Sequence, residues 1–519
     1  MSDEIVNNTT ETAEEQVKLR GIKSSSELAS IIRPQGLHGR RQIFTNERTV
    51  TRDNIIQILN DALPTHLQNR ADEVYLENYV RGIQPVLERT KQYNDYICNR
   101  VVVNMANQIV TFKTAEFAGE PIQYISRGTK EGVPEKIEKL NSLMMSEGKQ
   151  SKDMDLAYKM FTCGVGYRLV LNEKSSSYAT QDVYDEAPFE IYIPDPKNTF
   201  VVRVNDVTKR ILMGVTYVFL DSTNTSVEYT VYTENATYSL TGSAQRVDTV
   251  KSVTTHNFGM VNLVEYPCNS LYMSPIEVVH DLLNAMSDLM SDRMDGIDQF
   301  IQAVMVFEGV DITREDFLSL KDLGALKIPP SPDGRSGRVY YLNEQLDQSQ
   351  TQTLVDDTYQ RILQIVGMPS QGDGSTGDSS NNGAVIMKNG WWSAEARSLE
   401  AEGMWKEAET QFLKVVLRMC NQANALTGLS VSDVDSKFGR RSYEDLLVKT
   451  QSFSTLVSAG CPPIQAFTFS KLGKDPESDA LVFSRYQEEQ AAELDKLTGA
   501  NGHGDDHDTD GTDNDVPES

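Results

Sequence analysis

The segment Ser274–Ile301 constrains this chain more than any other, because it carries one unbroken helical period over twenty-eight residues. Ser274 is placed as an N-cap, Pro275 at the first helical position and Glu277 three residues after the cap, a combination that marks a helix start. Ile276, Val279, Leu283, Met286, Met290, Met294, Ile297 and Ile301 recur every three or four residues and so share one face. At about 100° per residue, Asp281, Asp288, Asp292 and Asp295 fall within roughly 60° of one another on the opposite face. The helix therefore needs an apolar partner on one side and presents carboxylates on the other. Either it is a packed helix with a solvated acidic face, or the acidic stripe is itself a working surface.

The flanking blocks define an α+β chain. Downstream lies an insert at Gly309–Asp347, with a short helix (Arg314–Leu323), a Pro/Gly-rich turn (Pro329–Gly337) and a strand (Arg338–Leu342). A second helix, Thr351–Val366, is followed by a Gly/Ser/Asn loop and a long helix through Ala425 that carries Trp391, Trp392 and Trp405. Upstream, residues 1–50 are polar and short of apolar periodicity, and are expected to be weakly ordered. Three helices are expected at Asn54–Leu63, Arg70–Leu87 and Gln92–Phe112, with more over 134–162 up to the break at Gly164-Val-Gly166. Then the pattern changes to segments rich in Val, Ile, Thr and Tyr, separated by Asp/Asn/Gly/Ser clusters. Tyr167–Leu171, Phe189–Ile193, Thr199–Val204, Ile211–Phe219, Val227–Tyr232 and Ala236–Leu240 imply a small antiparallel sheet or barrel. Residues 440–496 return to helix, broken at Pro462-Pro463 and Pro476.

Charge excludes some functions. The net charge is −26, and Asn501–Ser519 supplies seven acidic residues with no lysine or arginine, so the body is acidic without its tail. Tight nucleic-acid binders are usually basic, because phosphate contacts drive their affinity; this chain is built to surround nucleic acid loosely at most. Lys18–Arg52 runs against the trend, with eight Lys/Arg against two Glu, and suits either nucleic acid or acidic neighbours in an assembly. The five cysteines are scattered without metal-like spacing, as expected of free thiols in a reducing compartment. No signal-like core and no run of about 18 apolar residues occurs, so a soluble, intracellular product with no membrane partner is expected. At 519 residues, more than one domain is expected.

Catalytic patterns are wanting. The sequence holds no HExxH, GxSxG or GxxxxGK[ST], and Gly164-Val-Gly166 lacks a third glycine and precedes a strand. His503 and His507 fall in the acidic tail, which reads as solvated rather than metal-binding. The aspartate stripe spans about 20 Å at 1.5 Å per residue, whereas two-metal nuclease sites gather carboxylates from separate elements around ions about 4 Å apart. The expectation is a non-enzyme with no metal and no cofactor.

The order of several motifs resembles the SPP1-type family of tailed-bacteriophage portal proteins. The segments that carry the resemblance are Asn78–Arg89, Asn99–Asn104 leading to Glu116–Tyr124, Asn257–Tyr266 feeding Ser274-Pro275, Asn382–Lys388 and Lys437–Leu447. Together they span roughly residues 70–490, with a Gly/Ser/Asn segment at 371–382 that is longer and more polar than the family's, and an unusual Trp391-Trp392.

The resemblance implies a portal fold: an N-terminal arm at 1–50, a wing at 51–272 that is helical and then β-rich over 167–266, stem helices at 273–308 and 349–367, an α/β clip at 309–348, a tunnel loop at 368–390, a long wing helix at 391–429, a helical crown at 430–496 and a disordered acidic tail at 497–519. It implies a virion protein at the capsid vertex, assembled in host cytoplasm as a ring of about twelve copies. Its partners would be double-stranded DNA in the channel, the terminase large subunit, scaffold, the major capsid protein and a head-completion adaptor. Candidate channel-lining residues are Asp281, Asp288, Asp292, Asp295, Arg361 and Lys388; candidate tunnel-loop residues are Gln371, Asp373, Asp378, Asn381 and Asn382; candidate clip contacts are Asp333, Arg335, Arg338 and Tyr340. The alternatives are another head–tail connector ring and, further off, a metal-dependent nuclease.

Overall fold

The computed structural model describes residues 38–91, 96–127, 130, 132–172, 187–221, 226–301, 305–308, 338–341, 349–370, 391–439, 446–473 and 476–499. Two compact units divide the chain: residues up to 377 with 386–440, and residues 378–385 with 441–519.

The first unit opens with β1 (Ile43–Thr45) and α1 (Ile55–Val80), then a 3₁₀ turn at Pro85–Glu88, α2 (Met105–Ala118), β2 (Gln123–Ser126), α3 (Val133–Ser146) and α4 (Lys149–Cys163). The strands β3 (Val165–Leu171), β4 (Glu190–Tyr192), β5 (Thr199–Val204), β6 (Ile211–Phe219), β7 (Val227–Tyr232), β8 (Ala236–Ser243), β9 (Arg246–Thr255) and β10 (Leu263–Pro267) follow. After them come α5 (Pro275–Ile301), β11 (Met305–Glu308), β12 (Arg338–Tyr341), α6 (Ser349–Val366), α7 (Trp391–Gln422) and β13 (Val434–Lys437). The expected short helix at 314–323 and turn at 329–337 lie outside the described residues, whereas the expected strand at 338–342 is β12, paired antiparallel with β11.

Several expectations are corrected. The first two expected helices are one, α1, which runs through Pro64. Proline in a helix interior costs about 3 kcal/mol, but both halves are buried, from Ile55, Ile58 and Leu59 on one side of Pro64 to Tyr75, Leu76 and Tyr79 on the other, and that burial outweighs the lost hydrogen bond. The third expected helix starts at Met105 rather than near residue 92, with Asn104 as N-cap accepting from the Asn107 amide at 3.3 Å. The arm expected to be weakly ordered through residue 50 is built into the fold from residue 38: Arg40 and Ile43 are buried, and β1 pairs parallel with β5.

The β region is two sheets rather than one. A six-stranded sheet has the order β1-β5-β6-β7-β8-β9, mixed because β1 is parallel, and a three-stranded sheet has the order β10-β3-β4. The larger one packs Phe200, Met213, Val215, Tyr229, Val231 and Leu240 onto Ile55, Ile58, Leu59 and Leu63 of α1. β9 escapes sequence reading because its residues are mostly exposed and polar. Gly164 ends α4 in the left-handed region (φ +83°), and a Cβ there would meet the Tyr272 carbonyl oxygen at 2.3 Å. The Gly164-Val-Gly166 motif is thus a tight helix-to-strand junction.

A charged network ties α4, α7 and three strands together. The guanidinium of Arg168 (β3), fully buried, lies between Asp153 and Glu409 (2.9 Å), with its carbon 4.4 Å from the Phe412 ring centroid. Glu409 also accepts from Tyr124 Oη (2.5 Å) and Tyr266 Oη (2.8 Å) and pairs with Lys149 (3.1 Å). Burial alone would raise this carboxyl, but Arg168 and Lys149 outweigh it and hold it near 2. All of its oxygens are satisfied, the condition under which a buried charge is tolerated.

The second unit consists of α8 (Leu446–Ser458), α9 (Pro463–Ser470) and α10 (Pro476–Gly499) around Phe453, Ala466, Phe467 and Ala480.

Candidate functional site: the acidic face of helix α5

The start of α5 is built from the residues that its sequence signature names. The Ser274 amide donates to Glu277 Oε2 at 2.7 Å, and the Ile276 amide donates to Ser274 Oγ at 3.2 Å, a reciprocal cap. Glu277 Oε1 additionally receives the Gly39 amide (3.0 Å) and Arg40 Nη2 (2.5 Å). The cap of α5 is therefore also the anchor of the N-terminal segment.

Three faces of α5 follow from position. Taking Asp281 as 0° and advancing about 100° per residue, Ile276, Val279, Leu283 and Met286 cluster near 180° and are buried. A second, polar seam lies near −80°: His280, Asn284, Ser287, Ser291 and Asp295, spaced four, three, four and four. His280 Nε2 meets Tyr75 Oη at 2.7 Å and Asn284 Oδ1 accepts from Tyr79 Oη at 2.8 Å, joining α5 to α1. Further along, Ser287 Oγ accepts from the Val103 amide (3.2 Å), Ser291 Oγ from the Val101 amide (3.0 Å) and Asp295 Oδ1 from the Asn99 amide (2.6 Å). Four helical residues rise about 6 Å and two extended residues about 6.6 Å, so an extended strap laid against the helix finds an acceptor at every second amide. This match is why residues 99–103 are extended rather than helical.

The third face, near 0°, is the carboxylate stripe, and the seam divides it. Asp281, Asp288 and Asp292 are exposed. Asp295, on the seam side at about −40°, is 2% exposed and pairs with Arg89 (3.0 Å) and Lys91 (2.5 Å). The stripe as a surface of four solvent-facing carboxylates is thus corrected to three: Asp295 is a clamp for the strap and is removed from the channel-lining set. Burial alone would raise Asp295, but Lys91 and the two Asn99 donors outweigh it and hold the carboxyl below its usual range. Asp288, nearer the seam than Asp281, is raised by partial desolvation and by Asp292, against the pull of Arg89. Arg89 also reaches Asp292, so the strap carries positive charge to the stripe's distal end.

The apolar side of α5 is unequal along its length. Met294 and Ile297 are 42% and 36% exposed, unlike Ile276 and Leu283. On α6, which packs against α5 through Ile362 and Leu363, Leu354 and Ile365 are also open. Arg361 is exposed on α6 with Asp357 at 3.5 Å. Arg338 and Tyr340 stand on β12, opposite Glu308 and Val306. Lys388, Gln371, Asp373, Asp378, Asn381, Asn382, Asp333 and Arg335 lie outside the described residues. Among the described residues no group of His, Cys, Asp and Glu is arranged to hold a metal ion, and no helix is long and apolar enough to cross a membrane.

A family model described as phage portal protein, SPP1 Gp6-like, matches residues 61–467. The chain belongs to this family of phage portal proteins. Its function is accordingly that of a portal, the head–tail connector of a phage particle, and the family is structural rather than enzymatic. No curated protein matches the chain. Among solved structures it is similar to a chain in "Neck of empty GTA particle computed with C6 symmetry", at 12% identity over 72% of this chain and 91% of that one, with a TM-score of 0.42.

The seam is what sequence reading missed. Its signal was present in the four-residue spacing of Ser287, Ser291 and Asp295, small acceptors between the apolar face and the carboxylate stripe, but a count of carboxylates alone passes over serines.

Proposed function

We propose that this portal protein assembles as a closed ring of about twelve copies, with α5 and α6 as its stem, and that the exposed face of α5 lines a channel for double-stranded DNA. The observation that carries this reading is the set Asp281, Asp288 and Asp292, three carboxylates projecting to solvent from one face of a 27-residue helix. Duplex DNA bears two phosphates per base pair, and repulsion acts over a Debye length of about 8–10 Å. In a narrow channel that range keeps DNA from adhering, so it slides in during packaging and out during ejection. Arg361, an exposed side chain paired with Asp357, and Lys388 supply positive points that touch the backbone transiently. The open apolar residues Met294, Ile297, Leu354 and Ile365 suit coverage by a neighbouring copy, since a ring protomer must bury one flank against the next.

The finer assignments follow the same reading. Residues 309–348, including Asp333, Arg335, Arg338 and Tyr340, form the clip that docks the terminase large subunit and later a head-completion adaptor. Residues 368–390, with Gln371, Asp373, Asp378, Asn381 and Asn382, form the tunnel loop. Residues 51–272 and 391–429 are the wing and 430–496 the crown, which meet scaffold and major capsid protein during head assembly in host cytoplasm. Replacing Asp281, Asp288 and Asp292 together with lysine tests the channel reading: rings of normal mass and stability with slowed or stalled packaging are expected. Packaging at the normal rate would refute it.

A further inference from the structure

Where the N-terminal segment meets α1, β5 and β10, the first unit holds a partly open cavity of about 20 Å³ lined by Arg40, Glu73, Thr199, Arg203, His66 and Tyr272 among others. Four of these residues each contribute a buried polar atom with no hydrogen-bond partner among the described residues: Arg40 Nε, Glu73 Oε2, Thr199 Oγ1 and Arg203 Nε. Arg40, Glu73 and Thr199 are 5%, 2% and 2% exposed. Arg40 Nη2 is committed to Glu277, and Arg40 Nη1, which also has no hydrogen-bond partner among the described residues, lies 3.4 Å from Asp72 as an ion pair; Arg203 is committed to Glu265, Tyr272 and the Lys209 carbonyl. His66 is excluded as a ligand, because Nε2 already meets Tyr217 Oη at 3.0 Å and burial lowers its pKa to about 3.

We infer that this cavity is a built site for one water molecule, which accepts from Arg40 Nε and Arg203 Nε and donates to Glu73 Oε2 and Thr199 Oγ1. The size fits, since a water needs about 10–15 Å³ of such space and two to four polar partners. Two N–H donors, a carboxyl oxygen and a hydroxyl oxygen, all buried and all on lining residues, match in number the two acceptor and two donor positions of water. An apolar guest would leave every one of these atoms unmade at a cost. Burial pushes the Glu73 carboxyl up to about 8; a water donating to Oε2 works against that shift. The water would join the segment that Arg40 ties to the α5 cap with the α1 helix and the β5 strand, making the N-terminal segment part of the wing.

Thr199→Val and Thr199→Ser separate a wet site from a dry one by the sign of their effects. With water present, the valine variant lowers the thermal unfolding midpoint by roughly 2–4 °C, and serine, which keeps the hydroxyl, stays within about a degree of the parent. In a dry cavity the valine variant would match or exceed the parent, because it removes an unsatisfied hydroxyl, and that result would overturn the inference. Replacing chloride by acetate should leave the midpoint unchanged; a chloride-dependent midpoint would assign the cavity to an anion instead. In an experimental map fine enough to place waters, one peak within about 3.2 Å of the four atoms is expected, and an empty cavity would refute the site.

Discussion

Replacing Asp295 with alanine isolates what the seam of α5 contributes. The carboxylate receives the Asn99 amide at 2.6 Å and Asn99 Nδ2 at 2.9 Å, and faces Arg89 and Lys91. Losing it orphans a half-buried backbone N–H, at about 1–3 kcal/mol. The two cations are 15% and 23% exposed and can turn to water, so their pairing adds only about 1 kcal/mol in total after screening. The strap should therefore open about 2–4 kcal/mol more easily. Amide hydrogen exchange reads this directly: the protons of Asn99 and Val101 should exchange roughly 30- to 1,000-fold faster, at tenfold per 1.4 kcal/mol. Asp281→Ala, whose parent side chain is 81% exposed, should leave them unchanged. Because the Asp295 carboxyl is held below its usual range, its stabilisation is complete above about pH 4 and is lost as pH falls through the folded value. Parent and variant should then converge in acid. Equal exchange in the two variants at neutral pH would refute the clamp.

Other perturbations probe the same construction. Ser287→Ala and Ser291→Ala should each speed exchange at the strap, at Val103 and Val101 respectively, by the equivalent of about 1–2 kcal/mol; effects confined to distant amides would contradict the ladder. Glu409→Gln, which leaves the buried cations Arg168 and Lys149 with Asp153 as their one remaining carboxylate in the network, should destabilise the first unit by up to about 3–5 kcal/mol in denaturant unfolding. With a folded pKa near 2, Glu409 contributes stability that is full above the ordinary carboxylate range and fades as pH drops toward 2, so the variant's deficit should shrink in that window and no other.

How far the sequence could be read depended on whether a residue's role was local. The cap of α5 was legible because Ser274, Pro275 and Glu277 act on their own helix, and the strands from Thr199 to Tyr232 were legible because each is itself rich in Val, Ile, Thr and Tyr and bounded by turn residues. Residues 99–103 misled because their geometry is set by a partner nearly two hundred positions away: Val101 and Val103 have helical spacing with their neighbours, yet their amides answer Ser291 and Ser287. Asp295 misled for the same reason, since a helical wheel places it with Asp281 and Asp292 and only the strap distinguishes it. β1 and β9 lay beyond single-segment reading, one as a three-residue strand and the other as a polar sheet edge.

The central claim is that the exposed carboxylates of α5 face a channel. Imaging the assembled protein by electron microscopy, at a resolution that places the side chains of α5, tests it most directly. A closed ring with Asp281, Asp288 and Asp292 on the inner wall of an opening wide enough for a DNA duplex, about 20 Å, is the predicted result. The same ring with these carboxylates turned outward, or buried against cations of the adjoining copy, would contradict it.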